Sequence, residues 1–546
     1  MKKINAAVLV VLIAIALLSN QAFSQTTAVQ RQKIDSLFST WNKPNSPGME
    51  LMVLHKGSVI LDRAYGSANV EKQIPNSSNH RIWIASMSKQ FTGLSVLLLA
   101  VKQQLNMEDD IRKYLPELPF LGDTIRVKHL LYHTSGLREG FTLTAMSFKD
   151  ESQYSNDNVL KYLSMQKGRN FKPGERFEYN NSGYVLLAII IERVSKISFP
   201  DFTSRYIFKP LRMDQSSFVK SFPASDSGIA IGYSVTSDAE KREFKPANFK
   251  GNSYGSTGLM TTAADLAKYD RIFYKPVFGK KVQELQLQRG RLNNGQYIPY
   301  AAGLEIETFR GKIAMSHSGS DAGYKSEMIR FPGEHFTVIC LANTEDAYNL
   351  TDRLFKIAAL FIKLQKTTVN NYKTFCKPAE AAYINKTNMS AMRFTRTSQG
   401  LQIATSPQGW YQKLLPEKEC SFKVEDIVID HYKFIGPVIH YTTRADHAAF
   451  HLIKTSSPAA AEIKMLAGAY YSDELKATYD FFEKDGSLFL KFFGIYDVPL
   501  TAYEGDLYVC DFIGTNIIHF VKDNTGGIVG MEFNRDGIYK LQFLRQ

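Results

Sequence analysis

The sequence predicts an α+β protein with an all-β tail, and three observations predict it. Two short β-rich runs, 49–55 and 58–66, meet at Lys56-Gly57, the pattern of an antiparallel hairpin. A long apolar run follows Ser86 and continues to Ala100, which reads as a helix buried on most sides, and further helices come after it with no βαβ rhythm. Beyond Lys366-Thr367-Thr368-Val369-Asn370-Asn371 the helical character ends, and short alternating runs with glycine turns continue to the terminus.

The elements in order begin with a candidate leader. Met1-Lys2-Lys3, an apolar stretch 6–18 and Ala22-Phe23-Ser24 have the charged start, apolar middle and small-x-small end of a secretory signal peptide cut after Ser24. The apolar stretch is short for a membrane span, and no later segment is long and apolar enough to cross a bilayer. No cysteine sits near the cut, which argues against a lipid anchor there. The mature chain is therefore expected outside the cytoplasm, periplasmic or extracellular. A helix is expected around 31–41, then the hairpin, the helix opening at Ser86, and a short helix over 106–115 ended by Pro116.

Length and charge bound the function classes. A chain of 546 residues with 44% hydrophobic residues holds two or three domains with real cores. The formal charge of +13 suits anionic polymers such as cell-wall glycans or phospholipid headgroups, although a solvated basic surface is the plainer reading. Export argues against nucleic acid. The cysteines Cys340, Cys376, Cys420 and Cys510 are far apart, so neither a zinc site nor a disulfide-dense scaffold is indicated. No pattern calls for a metal or another cofactor. Cys340 reads as a buried free thiol in a strand, and one bridge among the other three stays open.

Three polar clusters carry chemistry. Ser86 and Lys89 lie three residues apart on one helical face, so the amine reaches the hydroxyl. A serine needs a base to become a nucleophile, and a lysine in a water-poor pocket has a lowered pKa and is such a base. Ser164/Lys167 and Ser217/Lys220 share the spacing but open no long apolar helix. The second cluster is Tyr179-Asn180-Asn181, on a turn before the apolar run 185–191. There a tyrosine facing a lysine relays a proton, its pKa lowered by the positive charge, and Asn181 is placed to accept from Lys89 and donate to a substrate carbonyl. The third is Ser316-His317-Ser318-Gly319-Ser320. Its small residues let a substrate backbone lie along a strand edge, with His317 toward the acyl group and the amides of Ser320 and Ser86 forming an oxyanion hole. His133 reads as a helix-end histidine whose ring ties down the following turn.

Ser86-x-x-Lys89, Tyr179-x-Asn181 and His317-x-Gly319, in this order, resemble the serine hydrolases related to class C β-lactamases and penicillin-binding proteins. Two more stretches are similar to the same family, 130–137 (LLYHTSGL) and 255–266 (GSTGLMTTAADL), and the likeness spans about residues 30–365. The resemblance implies an antiparallel sheet flanked by helices, with an all-helical lobe between about residues 95 and 250. It implies Ser86 as nucleophile, Lys89 as its base, and Tyr179 as the proton relay. Asn181, His317, Gly319 and Ser320 are implied to bind substrate. Relatives that hydrolyse β-lactams carry lysine where this chain has His317, and histidine there is similar to the D-aminopeptidases and esterases of the family. An amide, small-peptide or ester substrate follows, with a wall-associated penicillin-binding or sensor protein, acylated without efficient turnover, as the alternative.

A rival nucleophile, Ser253 in Gly251-Asn252-Ser253-Tyr254-Gly255, matches the α/β-hydrolase elbow. That elbow needs an apolar strand before it, and the preceding 245–250 (KPANFK) is polar and broken by proline.

The expected division is a leader 1–24, a hydrolase domain 25–365, a small β domain 372–455 and a lipocalin-like β-barrel 462–546. Leu401-Gln402-Ile403 recurs loosely as Leu488-Phe489-Leu490 at an offset of about 86 residues, which suggests two copies of one β unit. Relatives similar to D-aminopeptidase carry two such barrels after the hydrolase domain. The aromatics Phe481, Phe482, Phe492, Phe493 and Tyr496 read as barrel filling.

Overall fold

The computed structural model of the chain describes residues 26–147, 151–219, 228–238, 241–247, 251–363, 381–385, 391–397, 400–404, 411–418, 421–424, 431–435, 438–442, 447–511, 515–535 and 537–546. The expected leader, the 366–371 boundary, Lys220, Cys376 and Cys420 lie outside these residues. Cys340 is a buried free thiol, and Cys510 is buried as well.

A six-stranded sheet is the frame. Its strands are β1 (Met49–His55), β2 (Ser58–Tyr65), β3 (Glu305–Phe309), β4 (Lys312–Asp321), β5 (Tyr324–Phe331) and β6 (Phe336–Ala342), in the order β3-β4-β5-β6-β1-β2 and antiparallel throughout. The β1–β2 turn holds Lys56 at φ 51° and Gly57 at φ 80°, the left-handed pair that matches strand twist. Alternation along β1 divides the core. Leu51 and Val53 face α1 (Ala28–Leu37) and α5 (Leu350–Ala358), where they meet Ile34, Phe38 and Leu354. Met52 and Leu54 face the helical side.

On that helical side α2 (Lys89–Val101) has every residue from Lys89 to Leu99 buried, so its largely apolar sequence reflects neighbours on all sides. Beside it lies α3 (Asn181–Ser195), capped by the Asn180 side chain, which accepts from the Gly183 amide at 3.2 Å. A third helix, α4 (Ala263–Asp270), packs against β1 and β6.

Three local expectations need adjustment. Ser86 does not open the α-helix itself: it sits in a 3₁₀ turn, Ala85–Ser88, that runs into α2. The helix expected over 106–115 is only a 3₁₀ turn at Ile111–Lys113, because the Asn106 and Asp110 side chains accept from the Glu108 and Arg112 amides and compete with a helix. The first helix begins earlier than expected, at Ala28, where Thr27 and Gln30 form a capping box.

Among its described residues the C-terminal part is β apart from one short helix, Ala460–Leu466. Eight short strands between Ala381 and Ile453 form a closed barrel. Nine strands between Gly468 and Arg545 form a second, nearly closed antiparallel sheet. Leu401-Gln402-Ile403 and Leu488-Phe489-Leu490 each lie on the third strand of their unit. Phe481 and Phe492 fill the second unit, whereas Tyr496 is 51% exposed and is not filling. Its strand, Tyr496–Pro499, is terminal in the sheet order, and Tyr496 sits at the end of the ladder, two residues before the buried Val498 on the same face.

Candidate active site

The strand-to-helix turn at Ser86 is built by its neighbours. Ala85 takes φ 46°, a left-handed conformation that costs a residue with a Cβ about 1–3 kcal/mol and persists only where the surroundings enforce it. Ile84 N donates to Leu259 O at 3.0 Å, and Ser88 Oγ accepts from Leu259 N at 3.1 Å. The stretch 255–266 thus fastens both sides of the serine. The Ser326 hydroxyl also donates to Ile84 O at 2.8 Å, tying the turn to β5.

Lys89 is fully buried, and its Nζ donates to three acceptors: Ser86 Oγ at 3.1 Å, Asn181 Oδ1 at 2.8 Å and Ser256 O at 2.8 Å. Burial favours the neutral amine and brings its pKa down to about 7, while the negative charges of Glu139 and Asp321 pull upward. Ser86 is the neighbour that favours ionisation of the Tyr179 hydroxyl, and the Lys89 amine lies 4.8 Å from the centre of the Tyr179 ring. The expected lowering of the Tyr179 pKa does not occur. Desolvation holds the phenol well above its ordinary value and outweighs the influence of Ser86, although the side chain as a whole is 39% exposed. Tyr179 is a protonated hydroxyl.

His133 forms the wall behind Tyr179. Its Nδ1 accepts from the Asn180 amide at 3.0 Å, its carbonyl accepts from the Glu178 amide at 2.9 Å, and its ring lies 4.4 Å from that of Tyr179. Burial pushes His133 well below the usual histidine range, so it stays neutral and ties down the turn that carries Tyr179 and Asn181.

His317 differs from the expectation that it faces the acyl group. It is 3% exposed, and both ring nitrogens are engaged, Nδ1 with Ser318 O at 2.7 Å and Nε2 with the Tyr300 hydroxyl at 3.0 Å. A carbonyl only accepts, so Nδ1 carries the proton and Nε2 accepts from Tyr300. Burial brings its pKa down to about 4, and the ring braces the Tyr300 and Tyr179 side chains from behind. The sequence pattern gives no sign of Tyr300, which turns the histidine inward.

Gly319 has a different reason from the one expected. A Cβ there would stand 2.2 Å from Ile84 O and 3.1 Å from Ser86 N, so its missing side chain admits the serine turn itself. β3 ends at Glu305 opposite Ser316, so the 317–320 stretch of β4 extends beyond the edge of that ladder. Ser320 lies in this stretch and its hydroxyl accepts from Lys325 Nζ at 2.6 Å.

A cavity of about 520 Å³ opens over Ser86, and Asn181, Ser256, Ser320 and Asp321 line it. Phe141 and Tyr154 supply an apolar wall, and Arg535 enters from the second C-terminal unit, far away in sequence. The Ser164/Lys167 pair does not form such a site. The Ser164 hydroxyl donates to Lys161 O, and Lys167 pairs with Asp473. Ser253 is buried and donates to Asn156 Oδ1 at 2.8 Å, a structural role in the turn that also anchors Tyr254 N.

Residues that sequence reasoning missed are Glu139, Tyr300, Asp321 and Arg535. Glu139 lies two residues beyond the LLYHTSGL stretch and Asp321 directly follows the Ser316–Ser320 cluster, whereas Tyr300 and Arg535 lie in no singled-out stretch.

Comparison with known proteins bears on the family and the fold. The family model described as Beta-lactamase matches residues 23–360. Penicillin-binding protein 4* of Bacillus subtilis (strain 168) is 31% identical over 343 residues, covering 60% of this chain and 75% of that protein. The chain spans from 64% to 75% of the length of the first curated relatives it matches. Among solved structures, the octameric penicillin-binding protein homologue from Pyrococcus abyssi has a TM-score of 0.57 at 23% identity, covering 85% of this chain and 98% of that one. D-amino acid amidase from Ochrobactrum anthropi SV3 has a TM-score of 0.50 at 19% identity, covering 60% of this chain and 99% of that one. These two likenesses are of fold. The family model spans more than half of the chain, and the chain belongs to the beta-lactamase family.

Proposed function

We propose that the chain is an exported serine hydrolase that forms an acyl-enzyme on Ser86 and hydrolyses a small peptide, amide or ester. One observation carries the reading: the Lys89 amine lies 3.1 Å from the Ser86 hydroxyl, and burial brings its pKa down to about 7. A neutral amine at that distance accepts the hydroxyl proton as Oγ bonds to the substrate carbonyl carbon.

The amides of Ser86 and Ser320 face the developing oxyanion in this reading. Collapse breaks the bond to the leaving group, which takes the proton that Lys89 received, passed through the Tyr179 hydroxyl. Water then adds to the acyl carbon as Lys89 and Tyr179 take its proton; the bond from that carbon to Ser86 Oγ breaks, Oγ recovers the proton, and the acid product leaves. Asn181 orients the lysine and the substrate amide, and His317 acts by bracing Tyr300 behind Tyr179. An acyl or leaving group of modest size fits the cavity of about 520 Å³ between the Phe141–Tyr154 wall and Ser320. In this reading the chain acts at or near the cell wall. Among the described residues no helix is long and apolar enough to cross a membrane.

The test is labelling by a fluorophosphonate probe, followed by turnover of D-amino-acid amides, short acyl esters and nitrocefin. The unaltered chain is expected to label and turn over amides or esters, and Ser86→Ala to do neither. Labelling that persists in Ser86→Ala overturns the assignment. A burst without turnover replaces it with a penicillin-binding or sensor protein.

A further inference from the structure

We propose that Glu139 is a positioning residue of the Ser86 site, clamped by a hairpin of the second C-terminal unit, which makes that unit part of the hydrolytic machinery. The inference rests on the serine-hydrolase reading above.

The hairpin is formed by β7 (Ile528–Arg535) and β8 (Ile538–Arg545). At its tip Gly537 takes φ 74°, and its carbonyl accepts from the Glu139 amide at 2.9 Å and from Asn170 Nδ2 at 3.0 Å. A Cβ at Gly537 would stand 2.8 Å from the Glu139 Cβ, so the tip is seated on that residue without a gap. Two residues on, Tyr539 N donates to Asn170 Oδ1 at 3.1 Å.

The contact continues into the site. Glu139 Oε2 accepts from the Asn181 amide at 2.7 Å and Oε1 from the Phe141 amide at 3.2 Å. Asn181 Oδ1 in turn accepts from Lys89 Nζ. The flanking residues repeat the pattern. The Ser182 hydroxyl donates to Arg138 O at 2.9 Å and accepts from Gly140 N at 2.6 Å, while the Arg138 guanidinium donates to Glu474 at 2.8 Å and to Tyr539 O at 3.0 Å. Residues 138–140 are thus bonded to the barrel on one side and to the start of α3 on the other.

Charge gives the segment a second task. The titratable groups facing Lys89 are Glu139 from this segment, Asp321 and His317 from β4, His133 and Tyr179 from the wall, and Tyr184 from α3. Both histidines are held neutral by burial. Glu139 and Asp321 are the negative charges that oppose the desolvation of the amine, and Glu139 is the stronger of the two.

The experiment is the second-order rate of fluorophosphonate labelling of the full chain against pH, which reads the Ser86–Lys89 pair without a known substrate. For the unaltered chain the rate is expected to rise through about pH 7. Glu139→Gln is expected to move the midpoint down by about 0.5–1 pH unit, and Glu139→Asp to restore most of it. A lost structural contact would lower the rate without moving the midpoint, so an unmoved midpoint overturns the inference. Gly537→Ala, compared with Gly505→Ala, tests the clamp. Gly505 has a similar φ of 80° on another hairpin tip but nothing within 4 Å. The first is expected to label several-fold more slowly and the second at the unaltered rate; equal rates overturn the clamp. An unaltered chain that does not label at all sinks the Ser86 reading itself, whereas a labelled chain with unmoved midpoints sinks only this inference.

Discussion

The Lys89 amine stands between two oxygens, 3.1 Å from Ser86 Oγ and 2.8 Å from Asn181 Oδ1. The first contact requires a neutral amine for chemistry, and the second holds its direction whichever form it takes. Burial of the whole side chain brings the neutral form within reach near pH 7, and among the described residues no carboxylate is hydrogen-bonded to the amine.

The same burial has a stability cost that pH exposes. The folded pKa of Lys89 is about 7, below its ordinary value, so between pH 7 and about 10 the unfolded chain binds more protons and stability rises with pH. Below pH 7 the cost is fully present. Lys89→Met is therefore expected to be inactive yet more stable than the unaltered chain at pH 6, by about 1–3 kcal/mol, with the advantage shrinking toward pH 10. Thermal melts of both proteins at the two pH values check this.

Tyr179→Phe removes a hydroxyl whose proton burial retains. It is expected to lower kcat by about 10²–10³ with little change in KM, because the group acts on a proton in flight rather than on substrate binding. An equal rise in KM with unchanged kcat would place the hydroxyl in binding instead.

Gly319→Ala puts a methyl 2.2 Å from the Ile84 carbonyl, a backbone atom that cannot swing aside. The Ser86 turn must shift, and a displacement of about 1 Å is expected to cost on the order of 10²-fold in labelling rate. Ala85 already holds a strained φ of 46°, so the turn has little freedom to adapt.

The pair Arg138–Glu474, with side chains 3% and 5% exposed, spans the interface between the helical lobe and the second β unit. Glu474→Ala leaves a buried guanidinium uncompensated and is expected to cost about 3–5 kcal/mol, read as a fall in the melting temperature. Lys167→Ala, which removes only the exposed pair with Asp473, is expected to cost less than about 1 kcal/mol.

The sequence by itself determined the local structure and the order of the chemistry. The 49–66 hairpin follows from Lys56-Gly57, the buried helix from a largely apolar run, and the Ser–Lys contact from a three-residue spacing that runs from the 3₁₀ turn into that helix. Ser86, Lys89, Tyr179 and Asn181 were legible because each lies beside an apolar element that fixes it. Only the tertiary structure decided which way His317 points, since Tyr300 and Ser318 O outcompete the cleft for its two nitrogens. It also decided that Tyr179 keeps its proton, because desolvation sums over every neighbour and no spacing in the chain encodes that sum. The approach of Gly537 to Glu139 joins residues almost four hundred positions apart through a carbonyl and an amide, groups that every residue offers alike, so no sequence pattern marks it.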